Sequence, residues 1–256
     1  MGITFDAPPL AEVSLGCTFL PRPDFLVPHF GAFWERIKKD FPDVAHAGQI
    51  VNINDGPLLG DDGIMLPRVW YVSADKARLV QLQQNRFHFN WRKTSDSAAY
   101  VRFPAIHAQA LGLWDAFGAY VLEATGSAIQ PLSNELTYTN IVSSAGKSPF
   151  ELADDTLRDA SWCRGQRFLD APTALAHSYT FEVPGNVGDM SVVIATGRRA
   201  DDGSGVLKID LTVRGRSGEE QRLGPWALKA HDFLIEAFKD LTTPAMHQHW
   251  KLRDVQ

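Results

Sequence analysis

Residues 10 to 19 alternate, with Val13, Leu15, Cys17 and Phe19 on one face and Ser14, Gly16 and Thr18 on the other. That period of two predicts a strand with one buried side. From Pro28 to Phe41 the period changes: Phe30, Phe33, Trp34, Ile37 and Phe41 recur at helical spacing, with Pro28 suited to a first turn and Pro42 closing the segment. Residues 43 to 63 are rich in Gly, Asp, Asn and Pro and predict a long connection holding at most a short strand, Gln49 to Ile53. Strands are expected over 64 to 73 and 78 to 92, joined by a turn at Ala74-Asp75-Lys76. In the second, the apolar positions move from even (Val80, Leu82) to odd (Phe87, Phe89, Trp91), which predicts a bulge or strong bend near Gln83-Gln84-Asn85.

A helix is predicted from Pro104 to Gly126, with Ile106, Ala110, Leu113, Trp114, Phe117 and Val121 on one stripe and Trp114 and Phe117 packed against the sheet. A strand follows over Asn134 to Ser143, then a polar stretch to Asp159. Leu175, His177, Tyr179, Phe181 and Val183 alternate, residues 190 to 198 form a second extended run, and Leu207 to Val213 alternate again. These three read as an antiparallel meander. From Pro225 a further helix buries Trp226, Ala230, Phe233, Leu234 and Phe238. The fold class predicted is α+β, a mainly antiparallel sheet with amphipathic helices packed on one face. The chain divides into a first half, 1–150, and a second, 151–256, within one integral unit. Laying Pro104 on Pro225 brings Leu113 onto Leu234 and Phe117 onto Phe238, so the halves can be read as weak duplicates, although any two amphipathic helices share some apolar matches.

Composition adds bounds. With 45% hydrophobic and 21% charged residues in 256, the chain can bury a full core. Its net charge of -5 argues against a broad nucleic-acid-binding surface. Cys17 and Cys163 are too few for a disulfide framework and lack metal-ligand spacing, which fits a reducing cytoplasm. No basic and apolar leader, run of about 18 apolar residues or myristoylation pattern occurs, so neither membrane spanning nor lipidation is expected.

The segment Arg86-Phe87-His88-Phe89-Asn90-Trp91-Arg92-Lys93 carries the sharpest pattern. Alternation sends Phe87, Phe89 and Trp91 to one face and Arg86, His88, Asn90 and Arg92 to the other. The first is read as core and the second as an exposed, donor-rich working surface, with His88, Asn90 and Arg92 as candidate binding residues. Aromatics and cations on opposite faces are poorly placed to stack bases and meet phosphates together, so nucleic acid is not the expected ligand. His177 lies on the apolar face of its strand and is a further candidate, either a satisfied core histidine or one facing a cavity. His247 and His249, separated by Gln248 in a segment read as extended, could join His231 in a metal site; a solvated tail is the favoured reading because no spacing rule links them. Gly-x-Ser-x-Gly, Walker and dinucleotide-binding patterns are missing, and no motif indicates a cofactor.

Pro9-Leu10-Ala11-Glu12-Val13, Leu82-Gln83-Gln84-Asn85-Arg86-Phe87 with Asn90-Trp91-Arg92, Leu136-Thr137-Tyr138-Thr139-Asn140, and Phe238-Lys239-Asp240-Leu241-Thr242 with Trp250 span nearly the whole chain. In these stretches it resembles a sporadically distributed family of uncharacterised bacterial proteins of about this length. The resemblance implies a bacterial cytoplasmic origin and one integral unit, and it transfers no catalytic residue. The function expected is a non-catalytic binding or accessory protein acting with a partner protein encoded nearby, through the polar strand face and the 43–63 connection; self-association is left open. The alternative is a small-molecule or metal-dependent enzyme using His177 or the His231, His247, His249 group.

Overall fold

The structure is a computed structural model describing residues 2–51, 66–95, 98–160, 168–170, 172–199, 202–215 and 222–255. The elements run β1 (Gly2–Phe5), β2 (Leu10–Phe19), α1 (Val27–Ile37), β3 (Asp43–Ala47), β4 (Arg68–Val72), β5 (Arg78–Gln83), β6 (Arg86–Arg92), α2 (Phe103–Thr125) and β7 (Pro131–Ser143). They continue with α3 (Pro149–Thr156), β8 (Ala176–Val183), β9 (Gly188–Arg198), β10 (Gly205–Arg214), α4 (Leu223–Leu241), α5 (Pro244–His249) and β11 (Leu252–Val255). Nine strands form one sheet in the order β3-β4-β5-β6-β2-β7-β10-β9-β8, and β1 pairs antiparallel with β11. The protein is α+β.

Read outward, β2-β6-β5-β4 matches β7-β10-β9-β8, each series placing a first strand beside a last one. The chain also orders its elements alike: strand, helix, strands, helix, with β3 as an addition to the first series. The helix that completes the second series, α3, falls in the stretch read as a polar connection. Its start is nevertheless encoded: Ser148 Oγ accepts from the Glu151 amide at 3.3 Å and Glu151 Oε2 accepts from the Ser148 amide at 3.0 Å, a capping box with Pro149 in the first turn.

Two compact units divide the chain, one comprising Val13–Leu136 with Arg214–Ala227, the other Met1–Glu12, Thr137–Val213 and Leu228–Gln256. In the first, an aromatic core gathers around Phe117 of α2, whose ring lies 5.2 Å from Phe33, 5.3 Å from Phe87, 5.8 Å from Phe25 and 6.0 Å from Phe19. Phe117 is buried as expected; Trp114, on the flank of the same stripe, is only half-buried. Gly126 ends α2 in the left-handed conformation at φ 75°, its amide returning to Leu122 O, which a residue without Cβ adopts without strain. In the second unit, Phe5, Phe238 and Trp250 pack together, with centroids 5.1 Å apart for Phe238 and Trp250.

Three local expectations change. The short strand in the first long connection is Asp43–Ala47 and not Gln49 to Ile53, of which residues 52 and 53 lie outside the described residues. The predicted strand over 78 to 92 is two strands, because Gln83 pairs with Arg86 around a two-residue turn, Gln84-Asn85. A tight reversal explains the parity change without a bulge: Leu82 then faces Phe87 and Val80 faces Phe89, so even and odd positions share the core side. The turn needs no glycine, since neither Gln84 nor Asn85 takes a positive φ; its carbonyls accept from the Arg22 amide at 3.2 Å and the Phe19 amide at 2.9 Å. Finally, His247 and His249 sit on the short helix α5 and not on an extended segment.

Candidate functional site

The polar face of β6 is not a surface. Arg86 is 4% exposed, His88 3% and Asn90 2%, so the strand is buried on both sides; Arg92 is half-buried, with Nη2 donating to Lys76 O at 3.2 Å. Alternation had identified which residues share a face and could not say what covers it. Part of the cover comes from the connection after β3, where Gln83 imitates a peptide group: its Oε1 accepts from the Ile50 amide at 3.0 Å and its Nε2 donates to Ile50 O at 3.1 Å.

Beneath that cover the side chains are matched to one another. Gln81 lies opposite His88 on β5, and its Oε1 accepts from Arg68 Nη1 at 3.0 Å and Trp70 Nε1 at 3.1 Å. That fixes the amide's orientation and leaves Nε2 to donate to Asn90 Oδ1 at 2.8 Å. Asn90→Ala therefore lowers stability by about 1 kcal/mol, the worth of a hydrogen bond whose donor, the Gln81 amide, is half-buried, and does not leave the fold intact as an exposed position would. Urea unfolding of the variant measures it.

The centre of the cluster is electropositive. Glu135 on β7 accepts from Arg214 Nε at 2.6 Å and lies 3.7 Å from Arg86 Nη1, so one carboxylate faces Arg86 and Arg214, while Arg68 adds a third positive charge around His88. Burial chiefly, aided by these arginines and opposed by Glu135, pushes His88 down to about 4, so its imidazole is neutral at neutral pH. Burial would raise the Glu135 carboxyl, but His88, Arg214 and Arg86 outweigh it and hold the group below its ordinary range.

His88 Nδ1 lies 3.2 Å from Ser14 Oγ, while Nε2 is buried without a hydrogen-bond partner. A serine, a histidine and a carboxylate are close here, yet they do not form a nucleophile relay. Ser14 meets Nδ1, no bond links Nε2 to the acid, and Glu135 is committed to arginine. The cluster specifies how β2, β4, β5, β6 and β7 lie together. Ser14, Glu135 and Arg214 were not singled out in the sequence, where each is one polar position among many in an alternating strand.

The remaining candidates are dispersed. His177 is exposed on β8, with Nδ1 3.2 Å from Tyr179 Oη, and is neither a core histidine nor a cavity group. Its strand is the last of the sheet, and the face read as apolar is only partly covered: His177 and Phe181 are exposed and Tyr179 is half-buried. His231 Nδ1 meets Tyr138 Oη at 2.6 Å; His247 Nε2 is 3.0 Å from Lys239 O and 3.1 Å from Thr242 Oγ1. Among the described residues no group of three His, Cys, Asp or Glu could hold a metal ion. Cys17 faces the core and burial pushes its thiol up, away from the reactive thiolate; Cys163 lies outside the described residues. No described helix is long and apolar enough to cross a membrane.

An open surface exists instead at β8. His177, Tyr179 and Phe181 line one face of this edge strand, Phe181 being 41% exposed, and their partners on β9 are Ile194, Val192 and Met190, all buried. The Thr196 amide donates to Leu175 O at 3.0 Å, so odd-numbered residues bond to β9. Ser178 and Thr180 consequently turn their peptide groups to the free edge. Among the described residues it is lightly guarded: Ala176–Val183 contains no lysine, proline or bulge and a single acidic residue, Glu182, near its end, whereas the opposite edge, β3, is only five residues long. Comparisons with family models, curated proteins and solved structures yield no match for this chain.

Proposed function

We propose that this is a non-catalytic binding protein that receives an extended segment of a partner protein along β8. The observation that supports the reading is the eight-residue edge strand, aromatic on one face and free of lysine, proline and bulge. Strand addition draws affinity from main-chain hydrogen bonds and specificity from side-chain contacts at alternate positions. Here the peptide groups of Ser178 and Thr180 supply the first, and His177, Tyr179 and Phe181 the second. The polar strand face on β6 has no part in this docking, because it is internal. The alternative, an enzyme using His177 or the His231, His247, His249 group, has no comparable observation behind it, since those imidazoles are engaged separately or exposed.

Thr180→Pro tests the proposal. Proline is tolerated where an edge residue's amide points outward, and it blocks a bond to an added strand. Peptides selected from a random decapeptide display library on the wild-type protein should slow amide exchange at Ser178 and Thr180. They should lose at least tenfold in affinity for Thr180→Pro, with the melting midpoint shifted by no more than a few degrees. Selected peptides that bind both proteins equally and leave β8 exchange unchanged would overturn it.

A further inference from the structure

A small cavity of about 60 Å³ opens beside β8, lined by Leu157, Asp159, Tyr179, Phe181, Ile194 and Leu241. Its floor is the aromatic face of the edge strand and its wall is built from two helix ends. Leu157 is the residue that closes α3 and Leu241 the last residue of α4, and the chain segments beyond them are joined by the bridge between Leu157 and Thr242. Resting on the reading of β8 as a docking edge, we infer that this cavity takes the cationic side chain, lysine or arginine, of the partner segment paired to β8.

Three features of the lining favour a cation with an apolar stem. Tyr179 and Phe181 contribute aromatic rings to the lining, and such rings attract ammonium and guanidinium groups. Asp159 supplies a full negative charge at an exposed position. Among the described residues it makes no ion pair, because the adjacent Arg158 directs Nε to Thr242 O at 2.9 Å. Leu157, Ile194 and Leu241 accept the methylene stem. Geometry gives the cavity its link to the edge: a residue directly opposite Tyr179 or Phe181 on an added strand has its Cβ about 5 Å away on the same face. A side chain as long as lysine or arginine carries its charge well beyond that Cβ, over the lining residues of the cavity.

The test separates the cavity from strand addition by using a cation too small to form a strand. n-Butylguanidinium is titrated into the full chain while the Tyr179 and Phe181 ring signals are followed by NMR, with n-butanol as the neutral probe of equal stem. Saturable shifts at least tenfold more sensitive to the guanidinium, reduced to the n-butanol level by Asp159→Asn, are expected. Equal response to the two probes, response unaffected by Asp159→Asn, or no response at either ring would overturn the inference, whatever Thr180→Pro does to peptide binding. Peptides selected on β8 should in addition share a lysine or arginine at one position. Peptides that protect β8 yet bind equally well with alanine there would sink the cavity and leave strand addition standing.

Discussion

Gly16→Ala should prevent this chain from reaching its native state under ordinary conditions. A Cβ at position 16 would lie 2.0 Å from the Phe87 carbonyl oxygen, 2.7 Å from His88 Cα and 2.9 Å from His88 Cγ. Two of these atoms are backbone of β6, a strand buried on both faces, so neither side can yield. The usual overpacking penalty of about 1–3 kcal/mol applies where side chains move aside; here strand must separate from strand at the middle of the sheet, and the cost should exceed it. Gly112→Ala is the control, because it lies within α2 with nothing within 4 Å and should gain up to about 1 kcal/mol from helix propensity. Soluble yield and thermal unfolding of the two variants make the comparison. A cooperative Gly16→Ala protein with a near-native midpoint would mean that β2 and β6 are not in such close contact.

Stability should fall by about 3 kcal/mol as the pH drops from 6.5 to 4, through His88 alone. In the unfolded chain this imidazole takes up a proton below its ordinary value of 6.5, whereas in the folded protein it does so only near 4. Between those values the unfolded state binds more protons, so acid favours unfolding; above 6.5 both forms are neutral and the effect vanishes. The cause is burial first, then the charges of Arg86, Arg214 and Arg68, against which Glu135 pulls the other way. Glu135 acts in the same direction at lower pH, since its depressed carboxyl adds stability above its ordinary range that is lost as it protonates. Urea unfolding at a series of pH values, repeated on His88→Gln, isolates the histidine. The variant's stability should be flatter between pH 6.5 and 4, and an identical slope would show that His88 does not titrate as its surroundings require.

Much of the fold was legible because it is local. The stripe of α2 and its stop at Gly126, the alternation of β2, β8 and β10, and the turn at Ala74-Asp75-Lys76 all follow from side-chain period and backbone preference. The reversal at Gln84-Asn85 is visible in the letters only as a parity change, since this turn takes no positive φ and so carries no glycine to mark it, and the bonds that anchor it come from Phe19 and Arg22, far back in the chain. The capping box that opens α3 was also present in the letters, passed over because Ser148 to Asp159 is polar enough to resemble a loop.

The candidate sites were less legible, and for one physical reason. Sequence by itself determined which residues share a face: Arg86, His88 and Asn90 together, His177, Tyr179 and Phe181 together. Only the tertiary structure decided which faces meet water. Burial depends on strands and connections remote in sequence, so the polar face became an internal network under Ile50, Gln81 and Glu135, while the aromatic face of β8 was left at the rim because no strand follows it in the sheet. Polarity predicts exposure only when buried partners are lacking, and here β2, β5 and β7 supply those partners.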